Sequence, residues 1–364
     1  MLPGFGMPGQ VRLKNATAVI VGMGGLGCPV ATYLAAAGVG HLVLIDDDRV
    51  DLTNLHRQVL YTPADVGRLK VDSAAERLSR FEPNLRLTTF PRRVEPGVSS
   101  DPDRADSARD WFADTLRTAD VVIDGSDNFP TRYAVNAAAV AARTPLSYGS
   151  VYRYTGEVST FLVGDGPCYA CLHPSPPPPG TAPSCAEGGV LGVLPGIVGT
   201  LQATEALKLL AGLGQSLSGR LLSVDVRRAP SFREWSFQRR PDCHVCGSGP
   251  SPASAAEEAK PGAPEVGLVE FRQSLAGQGY TLVDIRSPEE LAFGSLRGAI
   301  HRHGPTLESY LSQGPQPTVF ACKSGARSGA LVTRLRAGGW RQALSLAGSW
   351  KEWAAVEGET LIPY

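Results

Sequence analysis

Between residues 15 and 237, short apolar runs of strand length alternate with Ala- and Leu-rich stretches of helical spacing. That alternation predicts an α/β layer fold, because strands covered by helices on both faces are apolar throughout. Residues 18–21 read as a buried strand, 22–40 as a glycine-rich turn running into a helix, 42–45 and 121–123 as further strands, and 200–210 as a helix. Two stretches break the pattern. Residues 96–108, rich in Asp, Ser, Pro and Gly, read as a loop, and the Pro-rich residues 174–183 as a surface crossing, since proline offers no backbone N–H to a helix or central strand. Residues 248–264 have no apolar period and read as a linker. The pattern then resumes with a helix at 266–275, strands at 281–285 and 318–321, and a helix at 328–337. The chain is thus expected to hold one large α/β domain (1–247), a linker (248–264) and a second, smaller α/β domain (265–364).

Composition narrows the function. At 364 residues, 43% hydrophobic and 19% charged, the chain can bury two cores. Its 35 basic and 35 acidic residues cancel, which removes the basic footprint expected of a nucleic-acid or anionic-membrane partner. No apolar run approaches the ~18 residues of a membrane span, and the first five residues lack the features of a signal peptide. A cytoplasmic protein is expected, so the seven cysteines should be metal ligands, reactive thiols or packing residues rather than disulfides.

Chemistry begins at the first turn. Gly22-Met23-Gly24-Gly25-Leu26-Gly27 fits G-x-G-x-x-G between a strand and a helix, where bare backbone and free helix N–H groups receive phosphate. Asp46, 19 residues past Gly27, closes the second strand, where an acid accepts from ribose hydroxyls. These features alone suit any Rossmann-type binder, including an NAD-dependent oxidoreductase. The segment from Asp46 to Gln58, with Asp46-Asp47-Asp48 and Asn54-Leu55-His56-Arg57-Gln58, leads to Val66-Gly67-Arg68-Leu69-Lys70, and Asp124-Gly125-Ser126-Asp127-Asn128 follows a strand. Here the chain resembles the MoeB/ThiF family of ubiquitin-activating-enzyme-like adenylyltransferases, over roughly residues 2–247. The resemblance implies an ATP site built on Gly22, Gly24, Gly25, Gly27, Asp46, Asp48 and Asn128. It also implies that Asn54, Arg57 and Lys70 grip the triphosphate and that Asp127 holds Mg2+. Cations on a departing pyrophosphate fit cleavage between the α and β phosphates, which hydride transfer does not require. The family's N-terminal arm carries R-Y-x-R-Q, and Leu2 to Gly6 match the stretch just after it; a chain extended upstream is expected to adenylate faster.

Cys168-Tyr169-Ala170-Cys171 and Cys243-His244-Val245-Cys246 form two C-x-x-C pairs, enough thiolates for a closed tetrahedral Zn2+ site. His173 and His244 are expected to be bystanders. Cys28, at an apolar helix start, reads as packing. Cys185 follows the Pro-rich crossing, either as an unused loop thiol or, as the family resemblance implies, as a thiol that links covalently to the carrier protein.

In the second domain Cys322-Lys323-Ser324-Gly325-Ala326-Arg327-Ser328 lies between a strand and a helix. A loop so placed turns backbone N–H groups and the helix dipole toward the sulfur, favouring thiolate or persulfide. With Asp284-Ile285-Arg286, Gly298-Ala299-Ile300-His301 and Ala347-Gly348-Ser349-Trp350, it resembles a single rhodanese domain, except that Arg302-His303-Gly304 replaces the usual apolar continuation. Arg327 stands five positions after Cys322. The C-x4-R spacing is one residue shorter than the C-x5-R of related phosphatases and favours sulfur transfer.

Together the two resemblances imply an enzyme that adenylates the C-terminal Gly-Gly of a ubiquitin-like sulfur-carrier protein. It would then bring sulfur from a Cys322 persulfide, charged by a cysteine desulfurase or thiosulfate, to form a thiocarboxylate. The family further implies a homodimer. A non-catalytic sulfur-relay scaffold is the remaining alternative to this enzyme and to the NAD-dependent one.

Overall fold

The computed structural model describes residues 4–95, 111–164, 166–177, 189–248, 263–292, 294–323, 325–348 and 352–353. Residues 96–108, Cys185, Ser324, Ser349, Trp350 and most of the Pro-rich and linker stretches lie outside the described residues. The chain forms two compact units that divide near residue 253, each with its own sheet.

The first unit runs α1 (Gly6–Asn15), β1 (Thr17–Val21), α2 (Gly27–Ala36), β2 (His41–Ile45), α3 (Lys70–Phe81), β3 (Arg86–Phe90), α4 (Trp111–Arg117), β4 (Val121–Asp124) and α5 (Phe129–Ala142). It continues through β5 (Leu146–Tyr152), β6 (Thr155–Phe161), α6 (Tyr169–Leu172), α7 (Leu194–Ala211), β7 (Arg220–Asp225) and β8 (Ser231–Ser236). The strands order as β3-β2-β1-β4-β5-β6-β7-β8. The first five are parallel, with Val21 opposite both Ile45 and Asp124. Because side chains alternate across a strand, Ile20, Leu42 and Leu44 pack with Val30, Leu34 and Leu78 on one face. Val19, Val43 and Val122 pack with Phe112, Val135 and Tyr148 on the other. Burial on both faces is why these strands read as unbroken apolar runs.

The expected alternation of strand and helix stops at β5. Strands β6, β7 and β8 extend the sheet as antiparallel neighbours, and β8 is largely exposed, Phe232 and Trp235 included. Helix α7 starts earlier than expected, at Leu194, where Pro195 suits a first turn whose N–H groups have no helical acceptor.

The second unit runs β9 (Glu265–Val266), α8 (Leu268–Glu270), β10 (Thr281–Asp284), α9 (Pro288–Leu291), β11 (Ile300–His301), α10 (Pro305–Leu311), β12 (Thr318–Ala321), α11 (Ala326–Ala337) and β13 (Ala343–Leu346). Its five-stranded parallel sheet has the order β11-β10-β12-β13-β9. The helix expected over 266–275 is corrected at its start. Val266 is an edge-strand residue, buried and paired with Leu346, and helical structure begins only at Leu268, continuing as a wider π turn over Phe271–Leu275. No helix among the described residues is long and apolar enough to cross a membrane.

Candidate functional site

In the first unit, β2 and β3 lie on one side of β1 and β4 and β5 on the other. Strand order reverses there, and at the carboxyl ends of such strands an open α/β sheet leaves a crevice. A cavity of about 270 Å³ fills it, lined by the turn after β1, the acids after β2, Lys70 of α3 and the loop after β4.

Gly22 and Gly27 are dictated by packing. Gly22 adopts φ +89°, and a Cβ there would sit 2.7 Å from Gly125 O; at Gly27 a Cβ would fall 1.9 Å from Gly22 O. Gly22, Gly24 and Gly25 all line the cavity, and Gly25 is also held bare by packing, since a Cβ there would sit 2.9 Å from Pro195 Cβ. At Gly24 the closest atom to an added Cβ, Gln58 Nε2, is 3.6 Å away, so its bareness serves the cavity rather than packing. Asp46 accepts from Met23 N at 2.6 Å and Asp48 N at 2.8 Å, which ties the second strand to the glycine turn. Burial pushes its carboxyl up, against the pull of Lys70 and the two N–H groups. Lys70 Nζ donates to Asp48 Oδ2 at 2.9 Å and is itself buried. Burial alone lowers its ammonium, but Asp46 and Asp48 outweigh that and hold it above its usual value. Asn54 and Arg57 line the same cavity.

The loop after β4 is held from several sides. Asp124 is buried and accepts from Ser126 N (2.9 Å) and Ser126 Oγ (2.6 Å). Its carbonyl takes Gln202 Nε2 at 2.7 Å, and Gly125 N donates to Val21 O. Asn128 lines the cavity, yet its side-chain oxygen caps α5 by accepting from Thr131 N at 2.9 Å. Asp127 is left exposed on the cavity wall. Among the further lining residues, Gln58, Arg92, Arg93 and Arg132 are polar side chains with no role in the sequence reading. Arg93 pairs with Asp47 at 3.2 Å, and Gln58 is buried with Oε1 lacking a partner. The arginines after β3 could have been sought by the rule that ligands lie beyond strand carboxyl ends.

The two C-x-x-C pairs meet. Sγ separations are 3.9 Å for Cys168–Cys171, 3.6 Å for Cys168–Cys243 and 3.4 Å for Cys171–Cys246. A tetrahedron with Zn–S of ~2.3 Å has sulfur–sulfur edges of about 3.8 Å, so the donor set fits zinc. All four ligand atoms lie within 4.8 Å of one another. Neither His173 nor His244 belongs to the cluster. Burial and the neighbouring cysteines push the Cys168 thiol up, and a divalent cation would supply the charge that four thiolates need. Cys171→Ser is expected to purify with well under one zinc per chain and to melt earlier than the parent, measured by metal analysis and calorimetry.

In the second unit Cys322 follows β12 and is fully buried. Ser328 N donates to its Sγ at 3.4 Å, and Ser328 Oγ lies at the same distance. Gly325, at φ +81°, turns the chain into α11. Arg327 donates through both terminal nitrogens to Glu290, at 2.9 and 2.6 Å. Glu290 also accepts from Ser287 N and caps α9. Burial raises the Glu290 carboxyl, but Arg327 and the Ser287 N–H outweigh it and hold it below its ordinary 4.5. A depressed carboxyl stabilises above its unfolded value and loses that contribution as pH falls through the folded one. The second unit is therefore expected to lose stability below about pH 4.5, and Glu290→Gln to flatten that acid limb in pH-dependent melting.

Comparison with known proteins gives two matches along the chain: the ThiF family over residues 1–245 and the rhodanese-like domain over residues 268–356. A sulfur carrier protein adenylyltransferase of Thermus thermophilus is 49% identical over 69% of this chain and 89% of its own. The probable adenylyltransferase/sulfurtransferase MoeZ of Mycobacterium tuberculosis is 36% identical over 100% of this chain and 93% of its own. Among solved structures, E. coli MccB with ATP superposes with a TM-score of 0.54 at 22% identity, over 66% of this chain and 69% of that one. That likeness is one of fold.

Proposed function

Because the chain belongs to the ThiF family and carries a rhodanese-like domain behind it, we propose that it is an adenylyltransferase and sulfurtransferase. It activates the C-terminus of a ubiquitin-like sulfur-carrier protein with ATP and then delivers sulfur to it. The observation that carries this reading is the cavity at the strand-order reversal, which Arg57, Lys70, Arg92 and Arg93 line together with the exposed Asp127 and the glycine turn. Several cations around one pocket suit a triphosphate better than a dinucleotide.

In this reading Asp46 accepts from the ribose, and Gly24 and Gly25 let backbone approach the phosphates. Asn54, Arg57 and Lys70 neutralise the β and γ phosphates, and Asp127 is the carboxylate that holds magnesium. Magnesium, when bound, withdraws charge from the α-phosphate. The carrier's terminal carboxylate attacks the α-phosphorus, the bond to the β-phosphate oxygen breaks, and pyrophosphate leaves with its charge met by Arg57 and Lys70. Cys322 carries a persulfide charged by a cysteine desulfurase or thiosulfate. Its outer sulfur attacks the acyl carbon and AMP departs. The carrier is then held on Cys322 as an acyl disulfide; Cys185, the second thiol of the cycle, or an external thiol attacks the Cys322 sulfur, releasing the thiocarboxylate and leaving a disulfide that an external thiol reductant reopens. The four cysteines 168, 171, 243 and 246 hold structural zinc. A Gly-Gly terminus on the carrier, a homodimer and a cytoplasmic location complete the proposal.

ATP–pyrophosphate exchange with Gly-Gly-ended carriers tests the first half. Exchange that depends on the carrier is expected; no exchange of labelled pyrophosphate into ATP with any carrier refutes it.

A further inference from the structure

Helix α5 touches both the Asp127 loop and the cysteine cluster. Its Asn128 cap begins the helix at that loop. One turn on, Arg132 is buried, donates to Ser126 O at 3.3 Å, and lies over the rings of Phe129 (5.6 Å) and Tyr148 (5.7 Å). One turn further, Asn136 is 1% exposed and bonds the knuckle in two ways. Its Oδ1 accepts from Tyr169 N at 2.8 Å, and its Nδ2 donates to Cys168 Sγ at 3.7 Å. Residues at i, i+4 and i+8 share one helix face. The knuckle closes back on the same helix: the Tyr169 ring packs on Tyr133 at 5.1 Å, and Tyr133 Oη donates to His173 O at 2.8 Å. Tyr169 also sits beside the Arg132 guanidinium, whose charge opposes the upward push of burial on the phenol.

We propose that α5 is a rigid strut between the cysteine knuckle and the nucleotide cavity, with Asn136 and Arg132 as positioning residues for adenylation. Asn136 fixes the knuckle to the helix, and Arg132 fixes the Ser126–Asp127 turn to the same helix one turn away. Asn128 and Asn136 are about 12 Å apart along the axis, so a displacement at the knuckle reaches Asp127 through the polar contacts of Asn136 and Arg132 and the helix between them. Asn136 does not line the cavity. A purely local account gives it no influence on nucleotide kinetics; the strut does. This inference rests on the adenylation reading and deepens it.

The test uses the full chain, zinc-replete, with ATP, magnesium and a carrier. Asn136→Asp keeps the acceptor for Tyr169 N and loses the donor to Cys168. Outer donors to metal ligands tune affinity by ~10–100-fold, so zinc should pass to a chromogenic chelator about tenfold faster. With zinc held saturating, kcat of exchange should fall on the order of tenfold. The ATP KM should change little, and half-saturating magnesium should rise. Arg132→Lys keeps the charge but not the planar stack or reach, and should lower kcat with zinc content unchanged. Wild-type kcat in either variant overturns the strut. If the wild-type chain exchanges with no carrier, the functional reading fails instead, and a parental zinc-release rate in Asn136→Asp then overturns the knuckle end of the strut.

Discussion

Asp127→Ala is expected to lower ATP–pyrophosphate exchange by on the order of a hundred- to a thousandfold, the usual cost of removing one preorganised electrostatic partner of a transition state. The two acids of the loop after β4 divide the work. Asp124 is buried and committed to Ser126 N and Oγ, so it shapes the turn. Asp127 is exposed on the cavity wall and open to a hard cation. Its loop is held by Gln202, Arg132 and the Asn128 cap, so little reorganisation is needed as charge develops. The substitution should therefore act on kcat more than on folding. Loss measured in exchange, with the melting temperature near the parent's, is the expected pair of results; an unimpaired exchange rate removes Asp127 from the mechanism.

Cys322→Ala is expected to separate the two activities. Its sulfur lies at the carboxyl end of β12, with Ser328 supplying an N–H and a hydroxyl at 3.4 Å. Among the described residues, no other cysteine lies in the second unit. The variant should exchange pyrophosphate at the wild-type rate yet form no thiocarboxylate and carry no persulfide on the peptide spanning residue 322. Sulfur transfer at the parental rate would move the persulfide elsewhere, and loss of exchange would show that the two units do not act separately.

The parallel half of the large sheet was legible because β1, β2 and β4 are buried on both faces and therefore unbroken in apolar character. The antiparallel half was not. In β8 the aromatic residues Phe232 and Trp235 point outward, so hydrophobicity there no longer reports burial. Val266 was misassigned because a two-residue edge strand is shorter than any period. At the site, spacing alone marked the glycine turn and Asp46 and brought together cysteines that lie 75 positions apart in sequence, whereas Asp48, Lys70 and Asp127 were reached only through the family resemblance. Arg92 and Arg93 were missed because they follow a strand without a motif. Arg132 was missed because a lone arginine one turn into a helix reads as solvent-facing until the packing on Tyr148 is seen. Asn128 shows the reverse case: a motif residue whose side-chain oxygen serves the helix cap.

The most direct test of carrier activation coupled to sulfur loading is the mass of the carrier itself. A Gly-Gly-ended sulfur carrier is incubated with the protein, ATP, magnesium, a thiol reductant and either thiosulfate or a cysteine desulfurase with L-cysteine, then weighed intact. The expected result is exchange of one carrier oxygen for sulfur, lost when ATP is omitted and lost again with Cys322→Ala. A carrier of unchanged mass under every donor, with ATP intact, would contradict the account.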